Sequence, residues 1–255
     1  VKKTCLASAV ASVFLATLVA GVVNAVQLED LVLYLPFDEG EGNKVADLSS
    51  FKNDGIVQGC KWVEGVKDSA LEFDGISYVE IPDNKSLDIT DAITVIGWVK
   101  LTGAGGESPV VTKGPWGDQP YELTNHIGQK KAMFMAGQQI CWSDSLIEFG
   151  TWYNLAGTFD GKAIRVYING GIAGELQWGG PIPVNDLPLR IGMRVSPQEA
   201  YALIGTVDEV AIYNRALSET EIQKVVKQGI NLAVKTTSSK LTTTWGYMRA
   251  INRTG

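Results

Sequence analysis

Histidine is almost missing: the 255-residue chain has one, His126. That excludes a multi-histidine metal centre. With no Ser or Cys nucleophile motif to go with it, it also leaves no sign of a hydrolytic triad. Cysteine is scarce, at three residues, and a chain of this length buries a core large enough to need no staples. Basic charge is in deficit, with 22 Lys and Arg against 28 Asp and Glu and a formal net charge of −6. Phosphate contacts require clustered Lys and Arg, so nucleic acid is excluded as a partner. No internal repeat is present. What the chain does have is glycine, 28 residues of it, much of it in turn dipeptides, which points to an all-β chain. Its composition, 45% hydrophobic and 20% charged, is that of one large β domain or two small ones.

Residues 1–25 read as an export signal. Lys2 and Lys3 form a short positive region, and Cys5–Val23 is apolar and rich in Ala, Val and Leu. Val23-Asn24-Ala25 then places small residues where a cut after Ala25 needs them. The apolar run is nearly long enough to span a bilayer, so an uncleaved anchor is the alternative. With cleavage, the expectation is a secreted or cell-surface protein with no stable membrane insertion. Cleavage removes two lysines and no acid, taking the charge from −6 to −8. It leaves Cys60 and Cys141 as two buried thiols or as a disulfide, the latter allowed in an exported protein. That bridge would close a loop of about 80 residues, worth roughly 4–5 kcal/mol. The domain itself is expected over 26–229. Residues 230–255 hold Lys235, Lys240, Arg249 and Arg253, no acid, and a Ser/Thr-rich run, and read as a basic tail outside it.

Alternation and turn chemistry predict the strands. Leu31–Phe37 and Ala92–Leu101 alternate with apolar residues on both faces. Ala70–Phe73 and Tyr78–Ile81 flank Asp74-Gly75 and read as a paired hairpin. Trp152–Phe159, Ala163–Ile168 and Ile172–Trp178 are separated by Asp160-Gly161 and Asn169-Gly170, the strongest local hairpin signals. Short strands are expected at Val110–Lys113, Tyr121–Asn125, Ala132–Ala136 and Leu189–Arg194, with 113–145 otherwise rich in loops. Ser218 and Glu221 form a capping box for one short helix ending at Gly229.

The stretch Gly205–Leu217 (GTVDEVAIYNRAL) predicts a last strand covered on both faces. Strict alternation puts Asp208 in line with Val210 and Ile212. A carboxylate there needs partners, either backbone N–H groups or a metal ion. The loop Asp38-Glu39-Gly40-Glu41-Gly42-Asn43 offers hard oxygens of the kind Ca²⁺ takes, and also suits a plain solvated turn.

LPFDEGEG (Leu35–Gly42), ALEFDGISYVEIPD (Ala70–Asp83), ITVIGWVK (Ile93–Lys100), TWYNLAGTFDGKAIRVYING (Thr151–Gly170) and LRIG with GTVDEVAIYNRALSETEI (Leu189–Ile222) occur in that order. Together they resemble the bacterial laminin-G-like, concanavalin A-like jelly-roll family over 31–225. The resemblance implies two packed antiparallel sheets of about six or seven strands each, with ligands taken by one face and its loops. It also implies a structural Ca²⁺ joining the loop after the first strand to the last strand, through Asp208 with Asp38 or Glu39 and carbonyls up to Asn43. The loop Asp47–Gly55 lacks two glycines usual in the family and carries Phe51 and Lys52, so a further ligand from it is not expected.

Hydrolysis on this fold needs paired carboxylates, one nucleophile and one acid. The Glu-x-Asp-x-x-Glu run of the family's enzymes is absent, and the acid-dense stretches are loops or strand ends. The expectation is therefore a non-catalytic module for carbohydrate or glycoconjugate, with an extracellular protein partner as the alternative. Sugars stack on aromatic faces and bond to nearby amides, which nominates Trp116, Tyr121, His126, Gln138, Trp142 and Trp178. Trp116, between Gly114-Pro115 and Gly117, is the one most expected to be exposed.

Overall fold

A computed structural model describes residues 30–103, 106–195, 201–230 and 232. The segment read as an export signal and nearly all of the stretch read as a basic tail lie outside these. The strands are β1 (Leu31–Leu35), β2 (Lys44–Val45), β3 (Gly55–Gln58), β4 (Lys61–Glu64), β5 (Ser69–Asp74), β6 (Tyr78–Ile81), β7 (Ile93–Leu101) and β8 (Glu107–Lys113). They continue with β9 (Tyr121–His126), β10 (Lys131–Ala136), β11 (Gln139–Leu146), β12 (Tyr153–Phe159), β13 (Ala163–Ile168), β14 (Gly171–Gln177), β15 (Leu189–Ile191) and β16 (Ile204–Tyr213). One helix, α1 (Glu219–Gln228), follows.

The first sheet runs β14-β13-β12-β7-β16-β5-β4, with β1 beside the second half of β16. The second runs β11-β10-β9-β8-β15-β6-β3-β2. Each has eight strands, antiparallel throughout, rather than the six or seven expected. Between them lies a core that includes Leu33, Leu35, Phe73, Val95, Val99, Val207 and Val210 from the first sheet and Val79, Ile81, Leu123, Phe134, Leu189 and Ile191 from the second. The sheets approach closely at Gly157, where a Cβ would overlap the Phe134 ring.

Local chemistry places the β12–β13–β14 meander. Asn169 and Gly170 both take positive φ (51° and 84°), as the hairpin turn between β13 and β14 requires. Asp74-Gly75 behaves differently. β5 and β6 belong to different sheets, so the predicted hairpin is instead a crossing from one layer to the other. Asp74 holds that crossing by accepting from the N–H groups of Ile76 (3.2 Å) and Ser77 (3.0 Å). The stretch expected to be rich in loops, 113–145, contributes three strands, β9 to β11.

Two bulges break strict alternation in the first and last strands. The register of β1 shifts between Leu31 and Leu33, so Leu31 faces outward while Val32 and Leu33 both join the core. In β16 the shift lies between Asp208 and Ala211, with Glu209 at φ 52°. One extra residue reverses the phase. Val207, Val210 and Ile212 therefore face the core, and Asp208 points to the opposite face rather than in line with them.

The helix covers the outer face of the first sheet. Ser218 Oγ accepts from the Glu221 N–H (3.3 Å), and the Glu221 carboxylate accepts from the Ser218 N–H (2.9 Å). Ile222 and Val225 then bury against Tyr34, Tyr167, Tyr213 and Leu217. Among the described residues no helix is long and apolar enough to cross a membrane. Among the described residues no helix covers the outer face of the second sheet.

Candidate functional site

Strand register lays a row of side chains across that face. Glu80, Arg190, Thr112, Glu122, Met135 and Ile140 are successive cross-strand partners from β6 through β15, β8, β9 and β10 to β11. The next row is Pro109, Thr124, Met133 and Trp142. Glu122, Thr124 and Met133 are fully buried despite facing out of the sandwich, because loops roof this face.

Arg194, just beyond β15, anchors the roof. Its guanidinium is 1% exposed. Nε donates to Glu122 Oε2 (2.7 Å), and Nη2 donates to Glu122 Oε1 (2.5 Å) and to Glu107. Trp116 and Tyr201 stack against it, with ring centroids 4.6 and 4.7 Å from Cζ. Burial alone would depress the Arg194 pKa, but the two carboxylates raise it overall, so the charge is secure. Gln119 ties the loop down: its Nε2 donates to Glu122 (3.2 Å) and its Oε1 accepts from the Gly117 N–H (2.7 Å). Trp116 itself is 55% exposed, so the guanidinium supports its ring while much of it remains open to solvent. Beside it, Arg190 stacks on Tyr78 at 4.1 Å and pairs with Glu80 at 2.7 Å.

The six nominated ligand residues separate accordingly. Trp116 and Gln138 join one network, since Gln138 Nε2 donates to the Gln119 carbonyl (3.1 Å). His126 and Trp142 pair edge to face at 5.6 Å, and His126 Nδ1 accepts from the Gln129 N–H (3.2 Å). Tyr121 lies wholly in the core, its hydroxyl donating to the Leu87 carbonyl (3.0 Å), and presents nothing to a ligand. Trp178 is half-buried and packs on Phe159 with centroids 5.0 Å apart. Arg194, Glu122, Glu107, Gln119 and Tyr201 escape sequence reading. Their one visible trace is Glu122 within a strand whose alternate residues, Tyr121 and Leu123, point to the core.

The cysteines are free thiols on separate sheet regions. Cys60 precedes β4 and lies near Asp74 and Ser77, whereas Cys141 lies in β11 near Val166, so of the two alternatives the free thiols are the one found, with Cys60 only half-buried. Burial pushes Cys60 up to about 12 and Cys141 up to about 11, which keeps both protonated and poor nucleophiles at neutral pH.

Of the nominated metal residues, Asp208 lies in β16 of the first sheet, and Asp38, Glu39 and Asn43 lie in the loop between β1 and β2. Asp208 is fully buried, and Oδ2 accepts from the N–H groups of Val66 (2.8 Å) and Lys67 (3.2 Å). Burial, aided by Glu209 against the opposing backbone bonds, pushes its carboxyl up to about 7. Glu209 accepts from the Tyr34 hydroxyl (2.7 Å), and Lys67 Nζ lies 3.6 Å from both Glu209 and Asp38. Glu39 accepts from the Ala46 N–H (2.7 Å), and the Asn43 carbonyl from the Val57 N–H (2.9 Å). Among the described residues, no three His, Cys, Asp or Glu side chains converge as a metal cage.

The model of the concanavalin A-like lectin/glucanases superfamily matches residues 73–223, more than half of the chain. The chain belongs to that superfamily. No curated protein matches it in sequence. Among solved structures, superfamily-like folds include the binding domain of paraclostridial mosquitocidal protein 1 (TM-score 0.63, 19% identity, 78% of this chain and 52% of that one). Domain 4 of the extracellular arabinanase AbnA from Geobacillus stearothermophilus, in complex with arabinotriose, gives TM-score 0.62 at 19% identity and covers 78% of this chain and 98% of that one. Trypanosoma rangeli sialidase bound to sialic acid gives 0.59 at 20% identity, over 78% of this chain and 33% of that one. At such identities the likeness is one of fold. The chain spans about half of the first protein and a third of the sialidase, and the fold is shared by binding modules and by glycoside hydrolases.

Proposed function

We propose that the chain is an exported, non-catalytic carbohydrate-binding module whose site is the roofed outer face of the second sheet. Trp116 carries the reading: a half-exposed indole fixed by a buried guanidinium is a stacking platform whose ordering cost is met before a sugar arrives. The two fold neighbours whose structures hold a binding domain or a bound arabinotriose support it. Hydrolysis is disfavoured because Glu107 and Glu122 grip the same guanidinium, so neither is a free proton donor of the kind a glycosidase acid must be. On a glycan array, wild type is expected to be retained by at least one glycan class. Trp116→Ala is expected to lose that retention while melting within about 1 °C of wild type, since exposed side chains contribute little to stability. Retention by no glycan, or retention unchanged in the variant, would contradict the reading.

For the first sheet we propose a structural Ca²⁺ with Asp208 and Glu209 as its side-chain ligands. Among the described residues, Asp208 Oδ1 is a buried oxygen with no hydrogen-bond partner and Glu209 Oε1 has only the Lys67 ammonium, 3.6 Å away; carboxylate oxygens of this kind are the donors Ca²⁺ takes. Glu39 Oε1 and the Asn43 carbonyl each accept a backbone N–H, which leaves both residues acceptor capacity for an ion. Lys67 is 57% exposed, and with Glu209 it lines a cavity of about 290 Å³ under the end of α1, so its ammonium has room to leave. Backbone carbonyls and water would complete the coordination. Wild type is expected to melt higher in Ca²⁺ than in EDTA, and Asp208→Ala to melt the same in both. Identical wild-type melts would remove the ion and leave Asp208 a backbone-bonded acid.

A further inference from the structure

The Arg194 cluster also bears on which glycans the face accepts, an inference that rests on reading the face as a sugar site. The guanidinium has two of its three nitrogens bonded to carboxylates, and its Cζ lies over the rings of Trp116 and Tyr201. What is left is Nη1, buried and without a partner among the described residues. A second buried polar atom without a partner, Thr124 Oγ1, lies on the same face, two residues along β9 from Glu122. The site therefore offers the two N–H donors of Nη1 and one hydroxyl inside a group whose charges are one cation and two carboxylates.

That balance distinguishes acidic from uncharged ligands. An arginine open on its carboxylate-binding edge would favour acidic sugars, because guanidinium and carboxylate pair through two parallel bonds. Here Glu122 already holds that edge and Glu107 adds a second negative charge. A ligand carboxylate at Nη1 would meet both in a region with little water to screen them, and like-charge juxtaposition of this kind is strongly penalised. A sugar hydroxyl brings an acceptor for Nη1 and no charge. Nearby charges do not reverse the sign: Arg190 is matched by Glu80, and Lys113 by Asp83 and Asp88. We infer that the face selects uncharged glycans and rejects carboxylated ones, with Glu107 and Glu122 as the specificity-determining residues and Arg194 as the hydroxyl donor.

The test compares matched pairs of oligosaccharides that differ only in a terminal uronic or sialic acid. Wild type is expected to bind the uncharged member at least about tenfold tighter. Glu107 is the safer residue to change, since its side chain is 16% exposed at the rim whereas Glu122 is fully buried. Glu107→Gln, which keeps an acceptor for Nη2, is expected to narrow that gap several-fold by improving the carboxylated ligand. Should Glu107→Gln not fold, wild-type affinity for the uncharged glycan against salt gives a second reading: flat is expected, and a steep fall with added salt would indicate binding by charge. Preferential wild-type binding of the carboxylated member, or a gap unmoved in a folded Glu107→Gln, would overturn the inference and leave the sugar-site reading standing. Failure of every glycan to bind would end both.

Discussion

A guanidinium taken out of water is stable only where its charge is met, and Arg194 is met by Glu122 and by Glu107. Removing it would strand two carboxylates, one of them fully buried. Arg194→Met is therefore expected to cost about 3–5 kcal/mol in urea unfolding and to blue-shift or quench the Trp116 emission differently from wild type. A loss below about 1 kcal/mol, the range of exposed pairs, would mean that the cluster is open to water. None of this is written locally in the sequence. Arg194 and Glu122 are 72 residues apart and meet only because β15 and β9 flank β8. Trp116, by contrast, was legible as exposed, because Gly and Pro around it mark a loop whatever the tertiary contacts. Tyr121 was misjudged for the converse reason: residue type nominated it, but its phase in β9 sends it to the core.

At the level of elements, turn and cap chemistry was the readable part. The β12–β13–β14 meander and the α1 capping box form where Asn-Gly and Ser-x-x-Glu place them, since each is satisfied within a few residues. Layer choice was not readable, as Asp74-Gly75 shows: the same dipeptide that closes a hairpin also serves a crossing. Bulges were equally hidden. Alternation in Gly205–Leu217 is unbroken on paper, and only the register against β7 reveals the extra residue that turns Asp208 away from Val210. The helix cap yields a pH prediction. Hydrogen bonds from Arg215, with help from Ser218, hold the Glu221 carboxyl down at about 2. Its folded pKa lies below the unfolded value of about 4.3, so its contribution is present above that value and is lost as pH falls from about 5 towards 2. Glu221→Gln is expected to cost about 1–2 kcal/mol at pH 7, allowing for screening, about a quarter of that at pH 2.5, and almost nothing near pH 1.5. An equal cost at each pH would show that the cap, and not the ion pair with Arg215, carries the effect.

Across the whole molecule, the two outer faces have different fates. The first sheet's is closed by α1 on Tyr34, Tyr167 and Tyr213, and its interior strand β16 carries the Asp208–Glu209 bulge against Lys67. The second sheet's is roofed by loops whose outermost aromatic is Trp116. That division gives the carboxylates on the two sheets separate tasks, the proposed Ca²⁺ holding the fold on one and ligand choice resting on the other. It also separates the tests, since EDTA should change the melt without acting on the Trp116 platform directly. The central claim, that the roofed face holds sugar through Trp116, is tested most directly by affinity electrophoresis of wild type and Trp116→Ala through gels containing an uncharged polysaccharide retained on the array. Wild type is expected to be retarded in proportion to polysaccharide concentration and Trp116→Ala to migrate as in a plain gel. Equal retardation of the two folded proteins would contradict it.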